Sequence, residues 1–356
     1  MQENYTPLAA KTADAKVLRR VDDWKRRLID LSKKNKLLYF KRSKRGNLSI
    51  TSPDAESVFK KLVLKQKQMI FWMPPEETEL DGLGFRAGSV ISHPPADQLV
   101  SENVDRTDLE RILKNLFRRS LSDYRERGVR ILHAAFGMLV WEDAITNEEV
   151  RSPLVMVPLE LSRENIRKPF SISVPEVEEE AVLNPALQMK LNDLKIDLPG
   201  LPDDWEINSL DQYFQSLSLK VADLGWKVEK TLEIGLFDFQ KLVIYKDLEN
   251  NAQLAIKHPI VRAIAGVKDS KLLINGLPNE KDVDRIEAPE STYRIRDADS
   301  SQRVAIDYAL RGQSFVMEGP PGTGKSQTIA NIITECIANG KTVLFVSDKM
   351  AALDVV

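Results

Sequence analysis

GPPGTGKS, residues 319–326, limits what this chain can fold into more tightly than any other stretch, because of what flanks it. Before it stands a short apolar run, FVME. After it comes SQTIANIITECIANG, in which Ile329, Ile332, Ile333 and Ile337 are spaced to share one buried helix face and Gly340 ends the helix. A second continuously apolar run, TVLFVS, follows. Strand, loop, helix and strand in this order predict a βαβ unit, whose strands lie parallel in a buried sheet.

The residue types in the loop suit an anion. Gly319, Gly324, Lys325 and Ser326 satisfy the spacing G-x-x-x-x-G-K-[ST]. Gly322 and Gly324 permit backbone angles and close approach that a side chain would block, so successive N–H groups can turn inward on phosphate oxygens. The helix start adds its unsatisfied N–H groups and positive dipole end. Lys325 then places an ammonium against the β and γ phosphates of ATP, and the Ser326 hydroxyl can ligate Mg²⁺. Pro320 and Pro321 stiffen the entry, and Thr323 and Gln327 complete the expected nucleotide-contacting set. A glycine-rich surface turn is the plain alternative, and the flanking strand and helix patterns weigh against it.

Two neighbours extend the site. Upstream, DADSSQRVAIDYAL reads as a helix with Ser300 or Ser301 as N-cap, and it places Gln302 ahead of the lysine. A glutamine amide offers one donor and one acceptor, matching the N6 and N7 edge of adenine and favouring ATP over GTP. Downstream, Ser347, Asp348 and Lys349 end the second strand, on the edge where ligands of parallel sheets bind.

With 356 residues, the chain has room for two or three domains. A net charge of -2 excludes a globally basic nucleic-acid coat, so contact with a polyanion must come from local patches. One cysteine, Cys336, and three histidines exclude a disulfide framework or a cysteine-rich zinc site, and a reducing cytoplasm is the expected location. No apolar stretch reaches the ~18 residues needed to span a bilayer, and the N-terminus lacks a signal-peptide core, so no membrane partner is expected.

Upstream, RRVDDWKRRLIDLSKKNKLLYF spaces Val21, Trp24, Leu28 and Leu31 on one helix face. It leads into a cationic run, with Lys33, Lys34, Lys36, Lys41, Arg42, Lys44 and Arg45 around Tyr39 and Phe40. Such a mixture can grip a phosphate backbone and stack a base; equally, it can be a solvated helix end with two core aromatics. TDLERILKNLFRRSLSDYRERG predicts a helix capped by Thr107 or Asp108, with Leu109, Ile112, Leu113 and Leu116 inward and Gly128 as terminator. FGMLVWED and RSPLVMVPLEL predict an antiparallel pair that FSISV extends. Glu176, Glu178, Glu179 and Glu180 read as a loop rather than a metal site. NPALQMKL and INSLDQYFQSLSL have helical spacing, and WKVEKTLEIGLFDFQKLVIYKDLE reads as strand then helix. The expected organisation is a flexible lead-in over 1–18, an α+β domain over 19–265, a connector over 266–295, and the start of an α/β RecA-like P-loop NTPase domain over 296–356, its parallel sheet incomplete.

Gln302, GPPGTGKS and VLFVSDKMAALDVV resemble the Q motif, motif I (Walker A) and motif Ia of superfamily 1 helicases. DWKRRLIDLSKKNKLLYF, FGMLVWED, RSPLVMVPLEL, NPALQMKL and FDFQKLVIYKDL resemble the uncharacterised domain that precedes the motor in a group of large, mostly bacterial members. The resemblance spans about residues 19–356 and implies an ATP-driven hydrolase that moves on DNA or RNA, expected to be single-stranded. It also implies a nuclease-like domain near the C-terminus of the full protein and a place in antiviral defence.

Such motors need an Asp-Glu pair on a later strand, arginines that neutralise the transition state, and a second RecA-like lobe. None follows motif Ia here. The chain is therefore expected to be the N-terminal portion of a longer motor, with negligible ATPase activity alone. Two other readings remain open: a nucleic-acid- or protein-binding module with a vestigial nucleotide site, and a non-helicase P-loop ATPase, against which Gln302 and motif Ia argue.

Overall fold

Helix α1 (Leu8–Leu28) opens the computed structural model, which describes residues 8–28, 32–43, 46–74, 94–102, 105–143, 148–175, 181–205, 209–238, 240–267, 279–282 and 292–356. Leu31, Lys44, Arg45, the acidic run at 176–180 and most of the connector read over 266–295 lie outside these. The chain divides into two compact units, one of Leu28–Ile244 and one of Met1–Arg27 with Tyr245–Val356. Those boundaries differ from the 19–265 span read from the sequence, and α1 begins within the stretch read as a lead-in.

The first unit is built on β1 (Asn47–Ser52), α2 (Ala55–Phe59), β2 (Met69–Ile70), β3 (Val100–Ser101), α3 (Arg106–Arg127), β4 (Leu132–Asp143), β5 (Glu148–Pro158), β6 (Glu160–Ser162), β7 (Ser171–Ser173), β8 (Val182–Leu183), α4 (Pro185–Asp193), α5 (Leu210–Val221) and β9 (Lys227–Leu236). Six strands form one antiparallel sheet in the order β3-β1-β9-β4-β5-β8, and β2-β7-β6 form a second. FSISV therefore belongs to the small sheet, pairing Ile172 with Met69 and Leu161, rather than extending the β4–β5 pair. Strand β4 is buried at nearly every position, so both of its faces are covered. Helices α2 and α5 pack on β9, and α3 packs against β1, β6 and β9. Gly137 makes a bulge in β4 at φ +73, and a Cβ there would lie 2.5 Å from the Phe214 ring of α5. Glycine is what lets helix and strand approach so closely.

Helix α3 buries Leu109, Ile112, Leu113 and Leu116 as their spacing predicts, and Gly128 ends it in the left-handed region. Its N-cap is Asp105, whose carboxylate accepts from Thr107 N, rather than Thr107 or Asp108. The segment LLYF is threaded into the core. Leu37 and Leu38 are buried; Asn184 Nδ2 donates to Leu37 O (2.6 Å), Ser152 Oγ donates to Leu38 O (2.5 Å), and Phe40 N donates to Arg151 O (2.8 Å). Tyr39 donates to the buried Asp143 carboxylate (2.6 Å); burial, then that hydrogen bond, pushes the phenol up to about 12.

In the second unit, Val17 and Val21 of α1 pack with Ile256 and Ala265. These lie on or just after α6 (Gln240–Asn250), α7 (Ala252–Lys257) and α8 (Pro259–Ile264). Lys25 closes on Glu249 (3.1 Å) and Arg262 on Asp14 (2.5 Å). The chain then forms α9 (Ser300–Leu310), α10 (Lys325–Ala338) and α11 (Met350–Val355). The expected strands FVME and TVLFVS carry no ladder, and no parallel sheet exists among the described residues. A strand is defined by a hydrogen-bonded neighbour, and neither run has one; Val316, Leu344 and Val346 are 84%, 86% and 75% exposed.

Candidate nucleotide site

GPPGTGKS folds into a turn that hands directly over to α10. Gly322 and Gly324 take φ of +87 and +75, which glycine enters without steric penalty. Gly324 is also the N-cap, so no side chain satisfies the first N–H groups of α10. In an α-helix those N–H groups have no intrahelical acceptor, so Lys325, Ser326 and Gln327 present donors and the dipole's positive end at one point.

Side chains hold this turn from within. Lys325 Nζ donates to Gly319 O (2.5 Å) and Pro320 O (2.8 Å), and Thr323 Oγ1 also donates to Pro320 O (2.9 Å). The ammonium thus folds back over the loop and is satisfied by carbonyl oxygens. At Gly319 a Cβ would stand 2.5 Å from Thr323 Oγ1, and at Gly324 one would stand 2.5 Å from Gln302 Nε2. The cradle is one that side chains at these positions would fill. Its donor set of N–H groups and an ammonium fits a polyphosphate, and the exposed Ser326 hydroxyl is an oxygen donor of the kind Mg²⁺ takes.

Gln302 lies against this loop. Asp299 caps α9 in a capping box, accepting from Gln302 N (2.9 Å) while Gln302 Oε1 accepts from Asp299 N (3.1 Å). Hydrogen bonds from Gln302 N and then Ser301 hold the Asp299 carboxyl below its usual range. The cap is therefore Asp299, not Ser300 or Ser301. Gln302 Nε2 donates to Thr323 O (3.1 Å), so the amide expected to read adenine ties α9 to the loop and keeps one N–H and one lone pair in reserve. Beside it a recess of about 470 Å³ is bordered by Ala305, Tyr308, Phe315, Gly319 and Lys325. Tyr308 and Phe315 meet edge to face, 5.8 Å between centroids.

Helix α10 buries a polar stripe, not the expected isoleucines. Thr328, Asn331 and Glu335 are at most 1% exposed, Ile329, Ile332 and Ile333 are half-buried, and Ile337 is exposed. Asn331 Oδ1 accepts from Ile295 N (3.1 Å) and Arg296 N (3.0 Å), its Nδ2 donates to Arg296 O (3.0 Å), and Glu335 accepts from Tyr293 N (2.8 Å). These two side chains, one turn apart, receive the irregular backbone that leads into α9. Sequence reasoning missed them, although their i, i+4 spacing was visible. Ser347, half-buried, and Asp348 and Lys349, both exposed, form a bend ahead of α11, where Ser347 Oγ accepts from Lys349 N (3.3 Å).

The cationic run is less available than its sequence suggests. Tyr39 and Phe40 are 8% exposed and belong to the core, so they offer no stacking face. Arg42 donates to the buried Glu233 (2.8 Å), to Glu102 (2.8 Å) and to Ser49 (3.0 Å), and Lys33 pairs with Glu148. Lys41 remains exposed. Among the described residues no group of three or more His, Cys, Asp or Glu side chains could hold a metal, and no helix is long and apolar enough to cross a membrane.

Residues 27–191 match the family described as Protein of unknown function (DUF4011). The chain is 51% identical over 67 residues to the uncharacterized ATP-dependent helicase MG140 of Mycoplasma genitalium, covering 19% of this chain and 6% of that protein. Its homolog in Mycoplasma pneumoniae is 49% identical over 67 residues, again 6% of its length. The DNA-binding protein SMUBP-2 of Rattus norvegicus is 35% identical over 69 residues, 19% of this chain and 7% of that protein. These likenesses relate part of the chain to helicases and so to proteins that act on nucleic acid. No solved structure matches.

Proposed function

We propose that residues 292–356 are the ATP-binding front of a superfamily 1 helicase or translocase motor acting on DNA or RNA. The observation that carries this reading is the loop itself, in which two left-handed glycines lead into a helix start with no side-chain cap, one ammonium lies over the loop carbonyls, and Gln302 braces Thr323. The sequence likeness to ATP-dependent helicases supports it, although the aligned stretch is only 6% of those proteins.

In this reading Lys325 turns its ammonium from the Gly319 and Pro320 carbonyls toward the β and γ phosphates, while the N–H groups of the first turn of α10 hold their oxygens. Ser326 would hold Mg²⁺, which when bound supplies positive charge to those same oxygens. Gln302 orients the loop through Thr323 and offers its spare N–H and lone pair to adenine. Ser347, Asp348 and Lys349 contact the nucleic acid. Photocrosslinking with 8-azido-ATP and peptide mapping tests the reading. Label within residues 300–328, removed by excess ATP more readily than by GTP, is expected; label confined to other peptides contradicts it.

A further inference from the structure

Helix α3 carries cations that the sequence leaves as ordinary surface. At about 100° per residue, Arg111, Lys114, Arg118 and Arg125 fall within about 60° of one another, across the helix from the buried leucines and Ile112. At 1.5 Å per residue this ridge runs about 21 Å. Lys114 pairs with Glu110 (3.0 Å) and Arg111 with Asp108. Arg118 and Arg125 are exposed and have no ion pair among the described residues. This is the reverse of Arg42, whose charge is consumed by carboxylates. A groove of about 590 Å³ lies along the first turns, bordered by Thr107 and Asn115 as well as Arg111, Lys114 and Arg118 of the ridge.

At the start of α3 a second recess, of about 230 Å³, combines a half-buried aromatic ring with cations. Trp72, Arg106, Arg167 and Lys168 border it. Its floor is fixed by Arg163, which donates to Lys168 O (2.6 Å) and Glu110 (3.2 Å) and lies 4.8 Å over the Phe170 ring. Glu110 borders both hollows, so they adjoin. A line of cations tracks phosphates, and an aromatic face beside it takes an unstacked base, which a duplex does not offer.

We propose that this face of the Leu28–Ile244 unit binds single-stranded nucleic acid, its phosphates along Arg111, Lys114, Arg118 and Arg125 and one base against Trp72. The proposal rests on the nucleic-acid-acting reading above and deepens it by naming the surface. The test is a titration of the full chain with fluorescein-labelled oligo-dT of about 20 nucleotides across a salt series. Arg118→Gln/Arg125→Gln changes two exposed side chains and is expected to flatten the slope of log K against log salt by about 1.4, since each phosphate contact on a single strand contributes about 0.7. Trp72→Leu is expected to weaken binding about 5- to 100-fold with the slope unchanged. A wild-type slope in the arginine variant overturns the ridge, and so does failure of the wild type to bind. Equal affinity for duplex overturns the Trp72 contact, and equal displacement by poly-glutamate overturns the assignment to nucleic acid. Nucleotide binding through Lys325 is read separately, so either result leaves that reading to stand or fall alone.

Discussion

Replacing Arg42 separates its two possible employments. Glu233 is 1% exposed, and its carboxylate accepts from Arg42 Nε (2.8 Å) and Asn47 Nδ2 (3.0 Å). In Arg42→Ala it keeps only the Asn47 amide among the described residues. Two unit charges about 4 Å apart interact by about 4 kcal/mol at an effective dielectric of about 20. Arg42 is 44% exposed, so water reaches the site and screens part of that. A loss of about 2–3 kcal/mol results, below the 3–5 of a fully buried broken pair. Trp72, Trp141, Trp205 and Trp226 all lie in this unit, so tryptophan fluorescence under urea follows it. At about 2–3 kcal/mol per molar urea the midpoint falls by about 1 M. In the double variant with Glu233→Gln, the losses should be non-additive by about 1–2 kcal/mol. A midpoint within about 0.2 M of wild type, together with an oligonucleotide salt slope about 0.7 flatter, would refute this and give Arg42 back to a phosphate.

Three further outcomes are expected. Gly137→Ala should cost about 3 kcal/mol in the same urea assay, from the positive φ and from contact with Phe214, and Phe214→Leu should restore only the packing share. Burial depresses His133 from 6.5 to about 4, so between those values the unfolded chain holds the extra proton; stability is full above pH 6.5 and falls by up to about 3 kcal/mol as pH drops to 4, a loss His133→Gln should remove. Asn331→Leu should speed amide exchange at Ile295 and Arg296 by about tenfold or more, and unchanged exchange would remove Asn331 as their anchor.

The sequence disclosed whatever local spacing encodes. The inward face of α3, its terminal Gly128, the β4–β5 pair and the Gly322–Gly324 turn all follow from periodicity or from backbone angles that only glycine enters freely. It did not disclose long-range polar choices. Nothing local to Asp143 or Glu233 signals burial, yet both are buried where Tyr39 and Arg42, distant in sequence, meet them. For the same reason the aromatic pair in the cationic run turned out to be core. FSISV had the right strand pattern but no local signal for its partner, and Met69 and Leu161 were the ones available. In α10 the isoleucine spacing promised an apolar seam. The helix instead buries Asn331 and Glu335, which satisfy backbone N–H groups of the incoming segment.

Fluorescence titration of the chain with a mant-labelled, non-hydrolysable ATP analogue and Mg²⁺, for wild type and Lys325→Ala, tests the nucleotide site most directly. A hydrogen bond to a charged group contributes about 1.5–3 kcal/mol, so the variant should bind about 10- to 100-fold more weakly. Equal affinities, or no saturable binding by the wild type, would contradict the assignment of Gly319–Ser326 as a phosphate cradle.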